Sequence, residues 1–427
     1  MQSHFPVIII GGGQAGLSAS HCLQQRGIDN IIFEQHKIAH SWSSKRWDSF
    51  CLVTPNWQCT LPGFSYPGED HQGFMQRDEI VRYVENYAKS FSPCIKEGVT
   101  VSNISRHSTR SVFEVSTSIG TYTADQVVVA TGGYHTPKIP RMAERLPQSV
   151  MQLHSSEYKN PQSLPEGGVM VVGTGQSGCQ IAEDLHLAGR TVHLCVGGAP
   201  RSPREYRGKD VVDWLDQMGY YDIPIDEHPQ KESVRTKTNH YVTGRGGGRE
   251  IDLRQFATEG MQLHGRLNTI QAQTLSFKND LKENLDYADS VAESIKGTID
   301  KYIDQAEIDA PEEPSYEPTW EPEVVARSLN LTEANISTLI WATGYHMDFS
   351  WIDLPAFNGQ GYPSHERGVS AVSGLYFLGL PWLYTWGSGR FSGIARDAQY
   401  LADCIAFKAK VRRQSNARQV NEMALGS

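Results

Sequence analysis

The sequence lacks the features that would place the chain in a membrane or on a nucleic acid. No window reaches about 18 uninterrupted apolar residues, the length that a helix needs to cross a bilayer. A strand-like segment begins within a few residues of Met1, which leaves no room for a signal peptide. The net charge of −9 argues against a surface for nucleic acid. We therefore expect a cytoplasmic protein with neither a nucleic acid nor a membrane as its partner.

Cysteine is scarce and shows no spacing typical of a metal site or a redox pair. The seven cysteines are scattered, their number is odd, and none forms a C-x-x-C pair. This distribution favours a reducing compartment and argues against disulfide-reductase chemistry. It also argues against a zinc site, so we expect no bound metal.

Glycine is abundant, and two glycine-rich turns follow the same pattern. "VIIIGGGQAGLSASHCL" (7–23) and "VMVVGTGQSGCQIAEDL" (169–185) each read as strand, G-x-G-x-x-G and helix. The first glycine permits the tight turn, the second admits a pyrophosphate, and the third lets helix and strand pack closely. The pyrophosphate then lies at the positive end of the helix. The sequence predicts two dinucleotide sites, formed by Gly11, Gly13, Gln14, Ala15 and Gly16 and by Gly173, Gly175, Gln176, Ser177 and Gly178.

The strands after the two turns predict different ligands. The first ends at Glu34, whose carboxylate can accept hydrogen bonds from ribose hydroxyls and would repel a 2′-phosphate, so this site should hold FAD or NAD. The second ends at Val196 with no acid nearby, and "APRSPREYRG" follows it. Arginine forks bind phosphate dianions, so the second site should prefer NADPH. Arg201 and Arg204 are the favoured phosphate ligands, and a solvated loop is the alternative.

Six segments, in their order and spacing, resemble the FAD- and NADPH-dependent (class B) flavoprotein monooxygenases. That group includes the flavin-containing monooxygenases, the Baeyer–Villiger enzymes and the plant indole-pyruvate monooxygenases. The segments are "GGGQAG", "HSWSSKRWDSFCLVTPNWQCTLPGFSYPG", "VVVATGGYHTPKIP", "GTGQSG", "LIWATGY" and "GLYFLGLPWLYTWGSGRFSGIARDA". The resemblance spans nearly the whole chain, and within this group the chain looks most like the bacterial flavoproteins found beside nitrilase genes.

The resemblance implies an α/β fold with two Rossmann-like domains, the NADP domain being inserted in the FAD domain. We expect a first FAD part over 1–160 and a second over 336–427. The NADP domain, over 161–335, would carry helical and Gly/Arg-rich insertions. Further positions implied to contact FAD are Gln35 beside Glu34, Ser41 and Trp42 at the flavin, Thr54 and Gln58 along the isoalloxazine, Val101 at the adenine, Ala130, Thr131, Gly132 and Tyr345 at the two A-T-G crossings, and Gly393 and Ile394 at the start of the C-terminal helix.

The chain departs from the family pattern at three places. The signature Phe-x-Gly-x-x-x-His is degraded and keeps only its His154, which we interpret as a brace of the interdomain linker. The asparagine that many members carry near the flavin falls on Val53, so its role is not carried over. Residues 208–266 replace the substrate region of better-known members. These departures bear on oxygenation more than on flavin reduction.

The implied activity is monooxygenation of a small organic substrate with O2. NADPH would reduce FAD, O2 would form a C4a-hydroperoxyflavin, and one oxygen atom would pass to the substrate. The cofactors would carry this chemistry, so no catalytic side chain is assigned. Tyr384, Trp386 and His346 either line the substrate side or belong to the core. Two alternatives remain. One is an NADPH-dependent flavin dehydrogenase or oxidase that acts on an amine or imine, and the other is a non-catalytic flavin redox sensor. The sequence leaves the oligomeric state open, and a homodimer is one possibility.

Overall fold

The computed structural model describes residues 3–324 and 326–425, with side chains up to Ser415. Its N-terminal part contains β1 (His4–Ile10), α1 (Gln14–Gln24), β2 (Asn30–Phe33), α2 (His40–Ser44), β3 (Thr60–Leu61), β4 (Phe64–Ser65), α3 (Arg77–Phe91), β5 (Ile95–Lys96), β6 (Val101–Arg106), β7 (Phe113–Thr117), β8 (Gly120–Val129) and β9 (Thr136–Pro137).

The middle part contains β10 (Met151–His154), β11 (Gly168–Val172), α4 (Gln176–Leu187), β12 (Val192–Cys195), β13 (Glu205–Tyr206), β14 (Lys209–Asp210), α5 (Val211–Gln217), α6 (Leu253–Thr258), β15 (Gln262–His264), β16 (Leu267–Gln271), β17 (Thr274–Phe277), α7 (Leu281–Gln305), β18 (Ser328–Asn330) and β19 (Ile336–Trp341). The last part contains β20 (Tyr345–His346), β21 (His365–Glu366), β22 (Val369–Ser370), β23 (Leu375–Phe377) and α8 (Ile394–Leu425). Short 3-10 helices lie at Asn56–Gln58, Arg141–Arg145, Pro161–Ser163, Tyr220–Asp222, Lys231–Thr236 and Arg245–Gly247.

The first sheet is built around β1, which is parallel to both β2 and β8. Its strand order is β21-β22-β23-β8-β1-β2-β5, and β7 joins β6 to β8. Ile8 and Ile9 of β1 are fully buried, as expected for a strand that helices or loops cover on both faces. On one face α1 packs against α8 through a core that includes Leu17, Ile394 and Leu401. The C-terminal helix therefore returns to the helix that follows the first glycine-rich turn.

The second sheet is wholly parallel, with the order β10-β19-β11-β12-β15. β10 lies before residue 161 and β19 lies after residue 335. The sheet therefore extends beyond both limits that the sequence predicted for the NADP domain. β10 (MQLH) is short and half-exposed, so it has no apolar run that would have marked it as a sheet strand. The α/β class with two Rossmann-like sheets is confirmed.

The inserted segments of the second domain form their own packing units. β16, β17 and β18 make a separate antiparallel sheet. The long helix of these insertions is α7, and its buried Leu281 and Leu285 pack against the second sheet's core. In the part of the chain that the structure describes, no helix combines the length and apolarity required to cross a membrane.

Candidate cofactor-binding site

The first glycine-rich turn is closed on one side and open on the other. Gly11 has a φ of +106°, and a Cβ there would lie 2.6 Å from the carbonyl oxygen of Ala130. A Cβ at Gly16 would lie 1.9 Å from the carbonyl oxygen of Gly11. Gly13 has nothing within 4 Å of its Cβ position. The first and third glycines thus let strand and helix meet, while the second faces free space of the kind that a pyrophosphate needs.

The second turn repeats this geometry. Gly173 has a φ of +107°, and a Cβ there would lie 2.7 Å from the carbonyl oxygen of Ala342. A Cβ at Gly178 would lie 1.9 Å from the Gly173 carbonyl oxygen. The open glycine is Gly175, where only Thr238 Cγ2 comes within 4 Å, at 3.5 Å. We call the two turns the first and second cradle; each packs on the alanine of an A-T-G segment.

Glu34 is held at the first cradle by backbone hydrogen bonds. One carboxylate oxygen accepts from the N–H of Gly12 at 2.6 Å, and the other accepts from the N–H of His36 at 2.8 Å. Each oxygen keeps a further lone pair, so the carboxylate can still accept from ribose hydroxyls. Beyond it opens a cleft of about 600 Å³, lined by His36, Lys37, His40, Ser43, Ser44, Glu97 and Gly98.

The histidines of this cleft did not figure in the sequence interpretation. The rings of His36 and His40 stack at 3.8 Å with an interplanar angle of 24°. Burial is the largest cause that lowers the pKa of His40 below its usual value. The two histidines are four residues apart, but only His40 lies in a helix, so the sequence showed no helical periodicity that would have paired them. They extend the predicted adenosine side of the first cradle, next to the exposed Gln35.

The predicted flavin residues lie in segments that the structure joins together. Trp42, in α2, stacks on Phe391 at 5.6 Å with an interplanar angle of 20°. Its Nε1 donates to Oε1 of Gln14 at 3.3 Å, and Nε2 of Gln14 donates to the carbonyl of Gly389 at 3.2 Å. The loop after β2, the first cradle and the turn before α8 therefore meet. Ser41 is exposed next to Trp42.

Buried polar atoms supply a test of whether this region fits FAD. Gln58 Oε1, Thr131 Oγ1 and Ser392 Oγ are buried without a hydrogen-bond partner among the described residues. Buried polar atoms are normally satisfied, so three such atoms on the segments expected to face the cofactor fit a polar ligand there. Thr54 is partly buried near Gln58, and Val101 begins β6, close to where Val99 donates to the Glu34 carbonyl. The residues present fit FAD.

The first N–H groups of α8 and of the turn before it are not equally free. The N–H groups of Gly393 and Ile394 donate to the Arg390 carbonyl at 3.4 and 3.1 Å. They are therefore weakly engaged within the turn rather than left open for the flavin. The next N–H, of Ala395, has no acceptor in the described structure, so the free positive end of α8 lies one residue later.

The two A-T-G crossings run side by side. β9 and β20 pair antiparallel, with Tyr345 opposite Pro137. His154 is fully buried, and its Nε2 donates to the Gly344 carbonyl at 3.0 Å. Burial is the main cause that lowers the pKa of His154. His154 therefore links β10 to the return crossing, as the brace interpreted from the sequence would.

The second cradle is covered by residues 236–243. Gln176, the first residue of α4, donates from Nε2 to the Val242 carbonyl, while its Oε1 is buried without a partner among the described residues. Thr238 lies over Gly175. The partnerless amide oxygen beside an open glycine fits a dinucleotide in this cradle.

Arg201 and Arg204 require a correction, because the structure gives both of them partners within the protein. Arg201 is 2% exposed, pairs with Glu250 and Asp289, and stacks on Tyr316. The Arg204 guanidinium donates to Asp210 at 2.6 Å and to the Val53 carbonyl at 2.8 Å. A buried guanidinium is stable only when it is paired, and all of these partners except Asp210 lie far away in sequence. The geometry thus differs from the predicted role of both arginines in binding a 2′-phosphate.

A fold with two such cradles and adjoining crossings is that of an oxidoreductase that binds FAD and a nicotinamide dinucleotide. Residues 8–282 match the family model described as pyridine nucleotide-disulphide oxidoreductase. The chain belongs to this family, as an oxidoreductase of the flavin monooxygenase type, and it uses FAD and NADPH. The preference for NADPH rests on the family and not on Arg201 or Arg204.

Three relatives illustrate the likeness. An uncharacterized CzcO-like oxidoreductase of Geobacillus kaustophilus is 34% identical over 408 residues, which cover 95% of this chain and 99% of that protein. A probable indole-3-pyruvate monooxygenase of Arabidopsis thaliana, YUCCA1, is 34% identical over 205 residues, which cover 47% of this chain and 49% of that protein. The flavin-containing monooxygenase of Stenotrophomonas maltophilia shares the fold, with a TM-score of 0.63 and 18% identity over 96% of this chain and 100% of that chain. The link to nitrilase genes stays a prediction.

Proposed function

We propose that the protein is a monooxygenase that consumes NADPH and O2 and transfers one oxygen atom to a small organic substrate. The observation that carries this proposal is a single turn that contacts both the first cradle and the segment that covers the second cradle. Gln14 of the first cradle bonds to Gly389, and Asn239, beside the Thr238 that covers the second cradle, bonds to Arg390. Two cofactors bound in these cradles would therefore approach each other at residues 389 and 390, as hydride transfer requires.

The chain's own part in this activity is to bind, orient and exclude water. When bound, the two cofactors supply hydride transfer and the activation of O2. Gly13 and the first N–H groups of α1 would hold the FAD pyrophosphate, and Glu34 its ribose. Gly175, Gln176 and Ser177 would hold the NADPH pyrophosphate.

An aromatic wall supports the exclusion of water from the flavin region. Trp42 lies 6.0 Å from Phe50 and stacks on Phe391, which in turn contacts Tyr83 edge-on at 5.5 Å. A dry site slows the breakdown of reactive intermediates and strengthens electrostatic interactions. The plant relatives' names, which specify monooxygenation, support the same assignment.

The disulfide chemistry that the family name mentions is not supported by the thiols of this chain. Burial is the main cause that raises the pKa of Cys51 to about 11 and that of Cys59 to about 12. Thiol–disulfide exchange needs a thiolate, so these buried thiols are poorly suited to it. All seven cysteines are free.

Rapid mixing tests the proposed reaction. The FAD-loaded protein is reduced by NADPH without oxygen and then mixed with O2, while O2 consumption and H2O2 release are followed together. A monooxygenase retains the activated oxygen, so H2O2 should lag clearly behind O2 consumption. Simultaneous H2O2 release would instead assign an oxidase, and failure of NADPH to bleach the flavin would exclude both enzymes.

A further inference from the structure

Arg390 stands out because it carries a positive charge between the first cradle and the segment that covers the second cradle. It follows Gly389, which bonds to Gln14 of the first cradle. Its guanidinium donates to Oδ1 of Asn239 at 3.0 Å, beside the segment that covers the second cradle. A second bond goes to the carbonyl of Trp386. The substrate of a reaction that needs both cofactors belongs in this neighbourhood.

In the part of the chain that the structure describes, no carboxylate neutralises this arginine. Among the described residues, none of the ion pairs within 4 Å includes Arg390, whereas Arg201, Arg204 and Arg207 each have an acidic partner. Burial lowers the pKa of Arg390, which shows that the protein gives its charge little compensation, yet a guanidinium keeps its charge at neutral pH. A partly buried cation without a counter-ion is costly, and a bound anion would relieve that cost.

The guanidinium is held against one aromatic ring, which a second ring supports. It lies over the ring of Trp386 at 4.1 Å, and Tyr221 contacts the same indole at 4.6 Å. Stacking on an indole orients the planar donor fork. Its two hydrogen bonds to the protein use two of the five N–H groups, so donors remain for an incoming acceptor.

We propose that Arg390 binds the carboxylate of the substrate, so that the protein acts on small organic acids. This inference rests on the proposed function, since it places the substrate between the two cofactors. It assigns a specificity role to a residue outside both cradles and both A-T-G crossings. The neighbouring Tyr221 and Trp386 would pack against the apolar body of such an acid.

A phosphate of NADPH offers the same chemistry as a carboxylate, so the test must separate the two sources. The oxidised, FAD-loaded protein is titrated with monocarboxylates from acetate to phenylacetate and with the matching primary amides. Binding is read from the change in flavin absorbance and from calorimetry. NADP⁺ is titrated separately. The variants are Arg390→Met and Arg390→Lys, and the control is Arg412→Met, which removes an arginine that pairs with Asp125 at the surface.

We expect the acids to bind more tightly than their amides. Arg390→Met should weaken acid binding about 10- to 100-fold, the range for a lost charged hydrogen bond, and leave the amides and NADP⁺ unaffected. Arg390→Lys should keep part of the preference, and Arg412→Met all of it. Equal binding of acids and amides, or no binding of any acid, would overturn the proposal. So would a parallel loss of NADP⁺ affinity, which would make Arg390 a cofactor ligand.

The failure of this inference can be told apart from failure of the proposed function. The titrations use oxidised protein and involve no O2, so they report substrate binding alone. Immediate H2O2 release after rapid mixing would refute monooxygenation and leave a preference for acids standing. Unchanged thermal midpoints of the FAD-loaded variants would show that a binding loss does not come from unfolding.

Discussion

The indole Nε1 of Trp42 donates to the amide Oε1 of Gln14 at 3.3 Å, and the same Gln14 donates from Nε2 to the Gly389 carbonyl at 3.2 Å. One side chain at the first position of α1 thus joins the loop after β2 to the turn before α8. Both segments are expected to contact the flavin. Gln14 therefore acts on FAD through the placement of its neighbours as well as through the cradle.

Removal of this link should loosen FAD without unfolding the protein. Gln14→Met keeps the volume of the side chain but loses both hydrogen bonds, each worth about 1 kcal/mol. We expect FAD to dissociate roughly 5- to 30-fold more readily, measured by the fluorescence of released flavin. Gln24→Met, an exposed position at the other end of α1, serves as the control. Equal FAD retention in both variants would contradict the link.

The two cradles should be separable by matched substitutions. Gly13 and Gly175 have φ values of −79° and −63°, so alanine is tolerated by the backbone at both positions. A methyl group there would occupy the space expected for a pyrophosphate. Gly13→Ala should fold but lose FAD, whereas Gly175→Ala should keep FAD and raise the Kd for NADPH. Calorimetry and the flavin spectrum measure the two effects.

The steric control for this pair is Gly11→Ala. Its φ of +106° and the 2.6 Å distance from its Cβ position to the Ala130 carbonyl oxygen predict damage to the fold itself. We expect a lower thermal midpoint for Gly11→Ala even before FAD is added. If Gly13→Ala and Gly175→Ala each impaired both cofactors alike, the assignment of one cofactor to each cradle would be wrong.

Sequence patterns predicted the parts of the fold that depend on local order. The two strand–turn–helix units appear because apolar runs and glycine positions are local signals, and the amphipathic pattern of α7 is likewise local. β10 escaped prediction because MQLH has no apolar run of its own. The partners of Arg201 could not be predicted either, since Glu250 and Asp289 reach it only through tertiary packing. The sequence did not indicate a role for Arg390, because this residue is distinguished by the lack of an acidic partner among the described residues, and that is a property of the tertiary structure.

Arg201 should matter for stability rather than for the choice of nicotinamide dinucleotide. Its loss would leave Glu250 and Asp289 buried or half-buried without their cation, a cost of about 3–5 kcal/mol. We expect Arg201→Met to lower the free energy of unfolding by an amount in that range, measured by urea denaturation. The ratio of kcat/KM for NADPH to that for NADH should stay unchanged. A selective loss of NADPH use would restore the phosphate role predicted from the sequence.

Asp397, in the first turn of α8, should make stability depend on pH. It is 1% exposed, and burial, partly offset by the neighbouring Ser388, raises its pKa from 3.8 to about 6. In the unfolded chain the group ionises near pH 4, while in the folded protein it stays protonated up to about pH 6. The folded state therefore binds the proton more tightly, and stability falls as pH rises between these values.

The size of this loss follows from the shift, at about 1.4 kcal/mol for each pKa unit, or roughly 3 kcal/mol at most. Asp397→Asn keeps the shape and never ionises, so it should be more stable than the parent above pH 6 and lack its decline between pH 4 and 6. Denaturation of the FAD-loaded proteins across this range gives the measurement. An identical pH profile for both proteins would mean that the Asp397 carboxyl is not shifted.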